Sequence, residues 1–517
     1  MRHLAIPERR RFLQGLAALG AAGALPRLRA QPLVTAQTFT LGVASGYPSP
    51  SGVVLWTRLA PLPYAPGGGM PPVVVPVRWE VAEDAGFKKM AASGVAYAEP
   101  AWGHSVHVEV RTLAPAREYW YRFHAGAASS PVGRTRTAPR LGAKVDQLRF
   151  AFASCQQFEQ GYYGAYRHLA AETLDLVIHL GDYIYESSWG ERPVRPHEGP
   201  TPVTLEDYRA RYACYKQDES LQAAHAACPW LMVWDDHEVE NDYADDRSQN
   251  ADAPRWFLAR RAAAYQAWYE HMPVPRSMVP FGPDLRLYTS VNFGRLVDFK
   301  LLDDRQYRSP QPCPKPGRGG GNVIKNCAAR LDPAATLLGA RQEAWLGAGL
   351  AASKTHWNIL AQQTLMAQSD SLAGPGQRFY ADGWDGYPAA RERLFQQLAA
   401  GQVANPVVIG GNVHSFWVAD LKRDFNRPES ATISTEFVGG SITSHPPSAA
   451  VLAAAQAEGP HIHLATGAYH GYVRLTLTPQ RLTADLRGVA DIRDPHTGIT
   501  TFSSWVVAAG RPGALPA

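Results

Sequence analysis

Four short polar clusters, each placed directly after an apolar run, constrain this 517-residue chain more than any other feature. They are Cys155 in FASCQ, Asp182 and Tyr185 in GDYIYE, the acids and histidine of WDDHEVEN, and Asn412 with His414 in GGNVHSFW. The runs before them, LRFAFA, LDLVIHL, PWLMVW and NPVVIGG, read as buried strands. Strands of a covered parallel sheet are continuously apolar, and such sheets hold ligands beyond their carboxyl ends. Four sets of metal-type donors are therefore expected at one sheet edge.

A chain of this length exceeds one ordinary core, so two domains are expected. Residues 31–140 carry the β-rich runs TFTLGVASG, GVVLWTRL, VVVPVRWEV, HSVHVEVRTL and REYWYRFHAG, which predict an N-terminal antiparallel β-sandwich. His104 and His107 lie there three apart, on opposite faces of a strand, so a shared metal is not expected. From about residue 145 to 505, strands alternate with helical segments such as TLEDYRARYACYKQDESLQAAHAA and PRWFLARRAAAYQAWYEHM, which predicts an α/β layered domain.

The net charge is +5, but basic residues are concentrated in the first thirty positions. No nucleic-acid partner is expected from that excess. The leader runs Glu8-Arg9-Arg10-Arg11-Phe12-Leu13-Gln14, then an apolar stretch over 15–25, then Leu28-Arg29-Ala30. A basic segment, a short apolar core and a terminal small residue make a secretory signal, too short for a spanning helix. The paired arginines before Phe-Leu resemble the twin-arginine export signal. Residues 1–30 are thus expected to be a twin-arginine signal peptide. The export machinery would be a partner, and the mature chain periplasmic or secreted, with no transmembrane segment.

Five cysteines suit an oxidising compartment. Cys313 and Cys327 flank the Gly/Pro-rich stretch CPKPGRGGGNVIKNC, where a disulfide would staple a loop, and Cys214 with Cys228 is a second candidate pair. Cys155 is left over: a reactive or metal-bound thiol, or a buried apolar cysteine at a strand end.

The clusters carry the chemistry. Asp182 projects from a turn that Gly181 permits, with Tyr185 one turn on; a carboxylate can bridge two cations, and a phenolate suits a trivalent ion. The alternative is a helix-capping Asp beside a core Tyr. Adjacent Asp235 and Asp236 are electrostatically costly unless a cation or donors compensate. His237 follows them, placed as a general acid or an oxyanion holder. Asn412 and His414, two apart on an extended segment, share one face as divalent-metal donors or as hydrogen-bonded core residues.

Together GD-x-x-Y, D-H-E and G-N-x-H resemble the calcineurin-like metallophosphoesterases. With FASCQ leading, the form is similar to the alkaline phosphatase D (PhoD-like) family. VASGYPSPSGVVLWTRL, LAPAREYWYRF, VRPHEGPTPVTLEDYRARYA, WDDHEVENDYA, LLDDRQYRS and ADGWDGYPAARERL extend the resemblance over about residues 40–490. Tyr47 departs from it, standing where the family usually has aspartate after SG, and the loop between Cys313 and Cys327 looks peculiar to this chain.

The resemblance implies a four-layer αββα sandwich after the N-terminal β-sandwich, and an exported hydrolase of phosphate mono- or diesters. It implies Cys155, Asp182, Tyr185 and His414 around Fe3+, with Asp182 bridging to a Ca2+ held with Asp236 and Asn412. His237 would assist the leaving oxygen. Arg305 is expected as a phosphate clamp, with Arg195 second, the alternative for Arg305 being a salt bridge to Asp303 or Asp304. Other readings are a phospholipase D-like phosphodiesterase, favoured by any exposed aromatics of YYGAY or the 313–327 loop, a non-catalytic cell-surface binding protein, and a redox iron protein.

Overall fold

The structure, a computed structural model, describes residues 37–189, 192–400 and 403–517. The leader, and with it the expected export signal, lies outside the described residues. Two large sheets dominate an α/β architecture. The first has ten strands, in the order Arg511–Pro516, Ile499–Ala508, Arg481–Val489, His470–Leu477, Leu148–Ala153, Leu176–His179, Trp230–Met232, Val43–Ser49, Gly52–Arg58 and Ser105–Val110. The second has seven, Thr289–Phe293, Val297–Leu301, Trp357–Ala361, Pro406–Gly410, Thr432–Val438, Phe416–Lys422 and Ile462–Thr466. All four apolar runs named above are strands.

Three of those runs sit side by side: Leu148–Ala153, Leu176–His179 and Trp230–Met232 pair in parallel, so their carboxyl ends emerge at one edge. The fourth, Pro406–Gly410, lies mid-sheet in the other layer, parallel to both neighbours. The sheets share a core in which the Phe150 and Phe299 rings meet edge to face at 5.1 Å. Successive residues of the second sheet alternate between cores, as the two-residue strand period requires. Ile359, Val407 and Phe437 join the shared core. Leu360, Val408 and Val438 instead pack with Leu346, Leu350, Leu394 and Leu398 of the helices Gly339–Ala352 and Pro388–Ala400. The predicted helix over TLEDYRARYACYKQDESLQAAHAA is two, Leu205–Lys216 and Glu219–Ala227, because Asp218 between them caps the second by accepting from Leu221 N.

The N-terminal strands are divided between sheets. Val75–Ala82, Met90–Ala98 and Glu118–Ala125 form a smaller sheet with Ala128–Ser129 and Gly133–Arg136, packed through one apolar cluster on Val43, Val53 and Leu55. The facing strands Val43–Ser49, Gly52–Arg58 and Ser105–Val110 are instead the end of the ten-stranded sheet. Val43–Ser49 pairs in parallel with Trp230–Met232, Gly46 opposite Trp230. Gly46 permits this join: a Cβ there would lie 2.3 Å from Pro273 O and 2.6 Å from Trp230 O.

The disulfide Cys313–Cys327 is formed. Cys214 and Cys228 are free thiols, correcting the second pairing. Their surroundings differ: Tyr64 and Arg211 act on Cys214, Arg134 and Asp175 on Cys228. Tyr163 and Tyr166 of YYGAY are core residues, 1% and 0% exposed, and offer no surface to a lipid. No described helix is long and apolar enough to cross a membrane.

Candidate metal centre

The loops leaving these strands turn sharply. Cys155, Asp182, Asn412 and His414 have φ of +58°, +56°, +63° and +51°, the left-handed region that side chains seldom adopt. Each such residue costs about 1–3 kcal/mol, so the surroundings must hold it. Cys155 N donates to Gly181 O at 3.2 Å and Gln156 N to Asp182 O at 3.1 Å. The Glu238 carboxylate accepts from Asp182 N, Tyr183 N and Asp235 N, at 3.2, 2.6 and 2.8 Å, binding two of the loops together. Gly181 allows the approach, since its Cβ would meet Asp235 N at 2.4 Å.

This brings donor atoms of Cys155, Asp182 and His414 within 4.8 Å of one another. Tyr185 joins them: its hydroxyl donates to Asp182 Oδ2 at 2.9 Å and lies 3.1 Å from His414 Nε2. Ser444 Oγ, 2.7 Å from that hydroxyl, steadies it. His414 Nδ1 is 3.0 Å from His445 O, so Nδ1 carries the proton and the Nε2 lone pair faces the cluster. A second group, Asp182, Asp236 and His237, has the same spacing and shares Asp182 with the first. A third, Asp236, Asp242 and Asp382, shares Asp236. Asn412 stands half-buried on the His414 loop.

The protein alone leaves this constellation poorly satisfied. Burial, then Asp182, pushes the Cys155 thiol and Tyr185 hydroxyl well above their ordinary pKa values. Burial with Asp382 and Asp236 raises Asp242 to about 7. The buried Asp182 Oδ1 finds no hydrogen-bond donor among the described residues. Bound cations would reverse each of these, favouring thiolate, phenolate and carboxylate. The mixed donors around Cys155 and the carboxylate-rich groups around Asp236 are donor sets that metal ions accept.

Comparison with known proteins agrees with the geometry. The family model "PhoD-like phosphatase" matches residues 150–486 and "PhoD-like phosphatase, N-terminal domain" matches 25–139. The chain belongs to the PhoD-like phosphatase family. It is 45% identical to "Alkaline phosphatase D" of Bacillus subtilis (strain 168), over 98% of this chain and 88% of that protein. A solved structure described as "Structure of PhoD" superposes with a TM-score of 0.90 at 46% identity, covering 94% of this chain and 93% of that one. Like these relatives, the chain is a phosphoesterase.

Within this PhoD-like site, Arg305 is not a free clamp. It is 1% exposed, with Nε on Asp235, Nη1 2.9 Å from Asp382 Oδ1, and Nη2 2.9 Å from Asp382 Oδ2 and 3.5 Å from Asp236 Oδ2. Its side-chain partners are not Asp303 or Asp304, the pairing named as the alternative to a clamp; Asp303 accepts from the Arg305 main-chain N–H. Arg195 Nη1 holds Asp218 at 2.7 Å and the guanidinium lies over the Phe158 ring, while its buried Nη2 has no hydrogen-bond partner among the described residues. Burial alone would raise Asp236, but Arg305 and His237 overcome it and hold that carboxyl below its usual range. His237 Nδ1 lies 2.7 Å from Glu186 Oε2, and its ring stacks on Tyr185 at 4.1 Å. Burial disfavours its charge, yet Glu186, Asp236 and Asp182 raise its pKa well above the ordinary value.

Sequence reasoning missed Glu186, Asp242, Asp382 and Ser444, and gave no role to Glu238 among the acids of WDDHEVEN. Glu238 and Asp242 lie inside WDDHEVENDYA and Asp382 inside ADGWDGY, so the motifs held them, but no local spacing marks them. Asp382 reaches Asp236 across 146 residues of chain, a juxtaposition only the fold supplies.

Proposed function

We propose that this PhoD-like phosphoesterase hydrolyses phosphate mono- or diesters at a dinuclear Fe3+/Ca2+ centre. The observation that carries this is the sharing of Asp182 by two adjoining donor groups. Fe3+ suits thiolate, phenolate, carboxylate and imidazole from Cys155, Tyr185, Asp182 and His414. Ca2+ suits the oxygen donors Asp182, Asp236 and Asn412, with Asp242 adjoining Asp236, while Asp382 is taken by Arg305. Such a pair supplies charge for the phosphoryl oxygens and lowers the pKa of water.

The chain's own groups do the rest. His237, protonated through its contact with Glu186 at Nδ1, can give the Nε2 proton, which has no hydrogen-bond partner among the described residues, to the leaving oxygen. Tyr185 beneath the ring fixes its plane. Arg305 positions Asp235, Asp236 and Asp382 rather than gripping substrate. We read residues 145–505 as a four-layer αββα sandwich preceded by an N-terminal module of 31–140, a reading supported by two large sheets that share one core and by helices packed on the second sheet. The Arg9-Arg10 leader directs twin-arginine export to the periplasm or medium, and the formed Cys313–Cys327 bridge suits such a compartment.

Elemental analysis of the protein exported from its host, with mono- and diester substrates assayed together, tests the centre. Iron and calcium are expected, with visible charge-transfer absorption whose phenolate component is lost in Tyr185→Phe. Zinc alone with full activity would overturn the assignment. Replacing Arg9-Arg10 with Lys-Lys should retain the protein in the cytoplasm; undiminished secretion would refute the export route.

A further inference from the structure

The glycine-rich loop closed by Cys313–Cys327 is the sequence motif that the proposed chemistry leaves unused, and the fold lays it directly on the acidic cluster. Three consecutive glycines make the contact. A Cβ on Gly319 would lie 2.5 Å from Ser248 O, on Gly320 2.8 Å from Asp242 Cβ, and on Gly321 2.7 Å from Asp382 Cβ. Gly320 also has φ of +79°, open to glycine at little cost. Any larger residue would displace the loop or the carboxylates.

This close approach has a purpose at Asp242. Gly321 N donates to Asp242 Oδ2 at 3.0 Å, and Tyr380 Oη to the same oxygen at 2.9 Å, while Gln249 Nε2 lies 3.2 Å away. Three donors on Oδ2 fix the carboxylate plane and leave Oδ1 to the cluster with Asp236 and Asp382. The two main donors belong to one unit. Val323–Ile324 pairs antiparallel with Phe379–Tyr380, Val323 opposite Tyr380. Asn322 joins the segments further, its side-chain amide donating to Cys313 O at 3.2 Å and its carbonyl accepting from Ala381 N at 2.9 Å. The disulfide clasps both ends of this segment, with Cys313 exposed and Cys327 buried.

We propose that the disulfide-closed glycine loop is a positioning element for Asp242, so that divalent-cation affinity at Asp236 and Asp242, beside the Arg305-paired Asp382, depends on the closed Cys313–Cys327 bridge. The inference rests on the reading that this acidic cluster holds a cation. Opening the loop frees the fifteen residues it clasps and removes the Gly321 donor, after which Asp242 turns away from Asp236 and Asp382. Outer partners that orient a ligand are worth about 10–100-fold in metal affinity. Reduction breaks the S–S bond: an added dithiol supplies two electrons and two protons, giving two cysteine thiols and its own cyclic disulfide.

The test is calorimetric Ca2+ titration of the full exported protein after chelation, oxidised and then treated with dithiothreitol, alongside Cys313→Ser/Cys327→Ser and Gly320→Ala. Gly498→Ala, where a Cβ meets nothing within 4 Å, is the control. Near-ultraviolet circular dichroism of the metal-free proteins verifies folding. Ca2+ affinity is expected to fall at least about tenfold in the reduced, Ser/Ser and Gly320→Ala proteins. Reoxidation should restore it, and Gly498→Ala should match the parent. Equal affinity before and after reduction of a folded protein overturns the positioning role while leaving the cation reading intact. No Ca2+ uptake by the oxidised parent overturns that reading and the inference with it.

Discussion

Glu186 Oε2 lies 2.7 Å from His237 Nδ1, both side chains about 5% exposed, beside the Tyr185 hydroxyl that touches Asp182 and His414. A buried carboxylate on one ring nitrogen keeps the imidazole charged and its other nitrogen a donor. His237→Ala should therefore cut kcat by about 10²–10³ on an alkyl phosphate, whose leaving oxygen needs the proton. With p-nitrophenyl phosphate, whose phenolate leaves unaided, the loss should be near tenfold. Glu186→Gln should show the same ordering more weakly. An equal loss on both substrates would assign the pair a structural role only.

Asp182 belongs to two donor groups, so its loss should be felt in both. Asp182→Asn keeps the shape and one oxygen but removes the charge that two cations would share. Both metals should fall below stoichiometric levels and hydrolysis should drop by at least about 10³-fold. His414→Ala, confined to the first group, should deplete iron more than calcium. Retention of both metals by Asp182→Asn would rule out the bridge.

The Arg305 guanidinium separates a clamp from a keystone. Removing one partner of a buried ionic network typically costs about 3–5 kcal/mol, because the remaining charges lose compensation. Arg305→Ala should lose about that much stability in urea unfolding, Asp235, Asp236 and Asp382 being left to repel one another. Arg305→Lys should recover part of it. A variant of parental stability with only KM raised would restore the clamp.

The metal-type residues were legible because each ends an apolar run. A carboxylate placed there by Gly-Asp or Asp-Asp is buried with its strand and must be compensated by a cation or by several donors. Convergence followed from parallel strands sharing one edge, which the sequence pattern could suggest. Arg305 misled because DDRQYR places two acids beside it, whereas the true partners Asp235 and Asp382 come from other loops. Chain proximity is a poor guide to charge pairing once a guanidinium is fully buried, since every nitrogen must then be satisfied from whatever the fold brings near. The division of the N-terminal strands was equally hidden. An antiparallel sandwich and the edge of a longer mixed sheet both read as alternating β runs, and only the Gly46–Trp230 register distinguishes them.

Glu436, on the strand Thr432–Val438, offers a test of the electrostatics of the second sheet. Its carboxylate is fully buried and accepts from Met366 N and Ala367 N, both at 2.7 Å. Burial outweighs those donors and raises its pKa to about 8. In the unfolded chain it titrates near 4.3. Between those values the folded protein holds a proton that the unfolded one has released. Stability from this group is therefore whole below about pH 4.3, lost progressively up to about pH 8, and constant above, at roughly 1.4 kcal/mol per pH unit. Glu436→Gln has no proton to lose. Urea unfolding at pH 5, 6.5, 8 and 9.5 should show the variant gaining on the parent up to pH 8 and running parallel beyond it. A constant difference across all four values would mean Glu436 is ionised in the folded protein throughout.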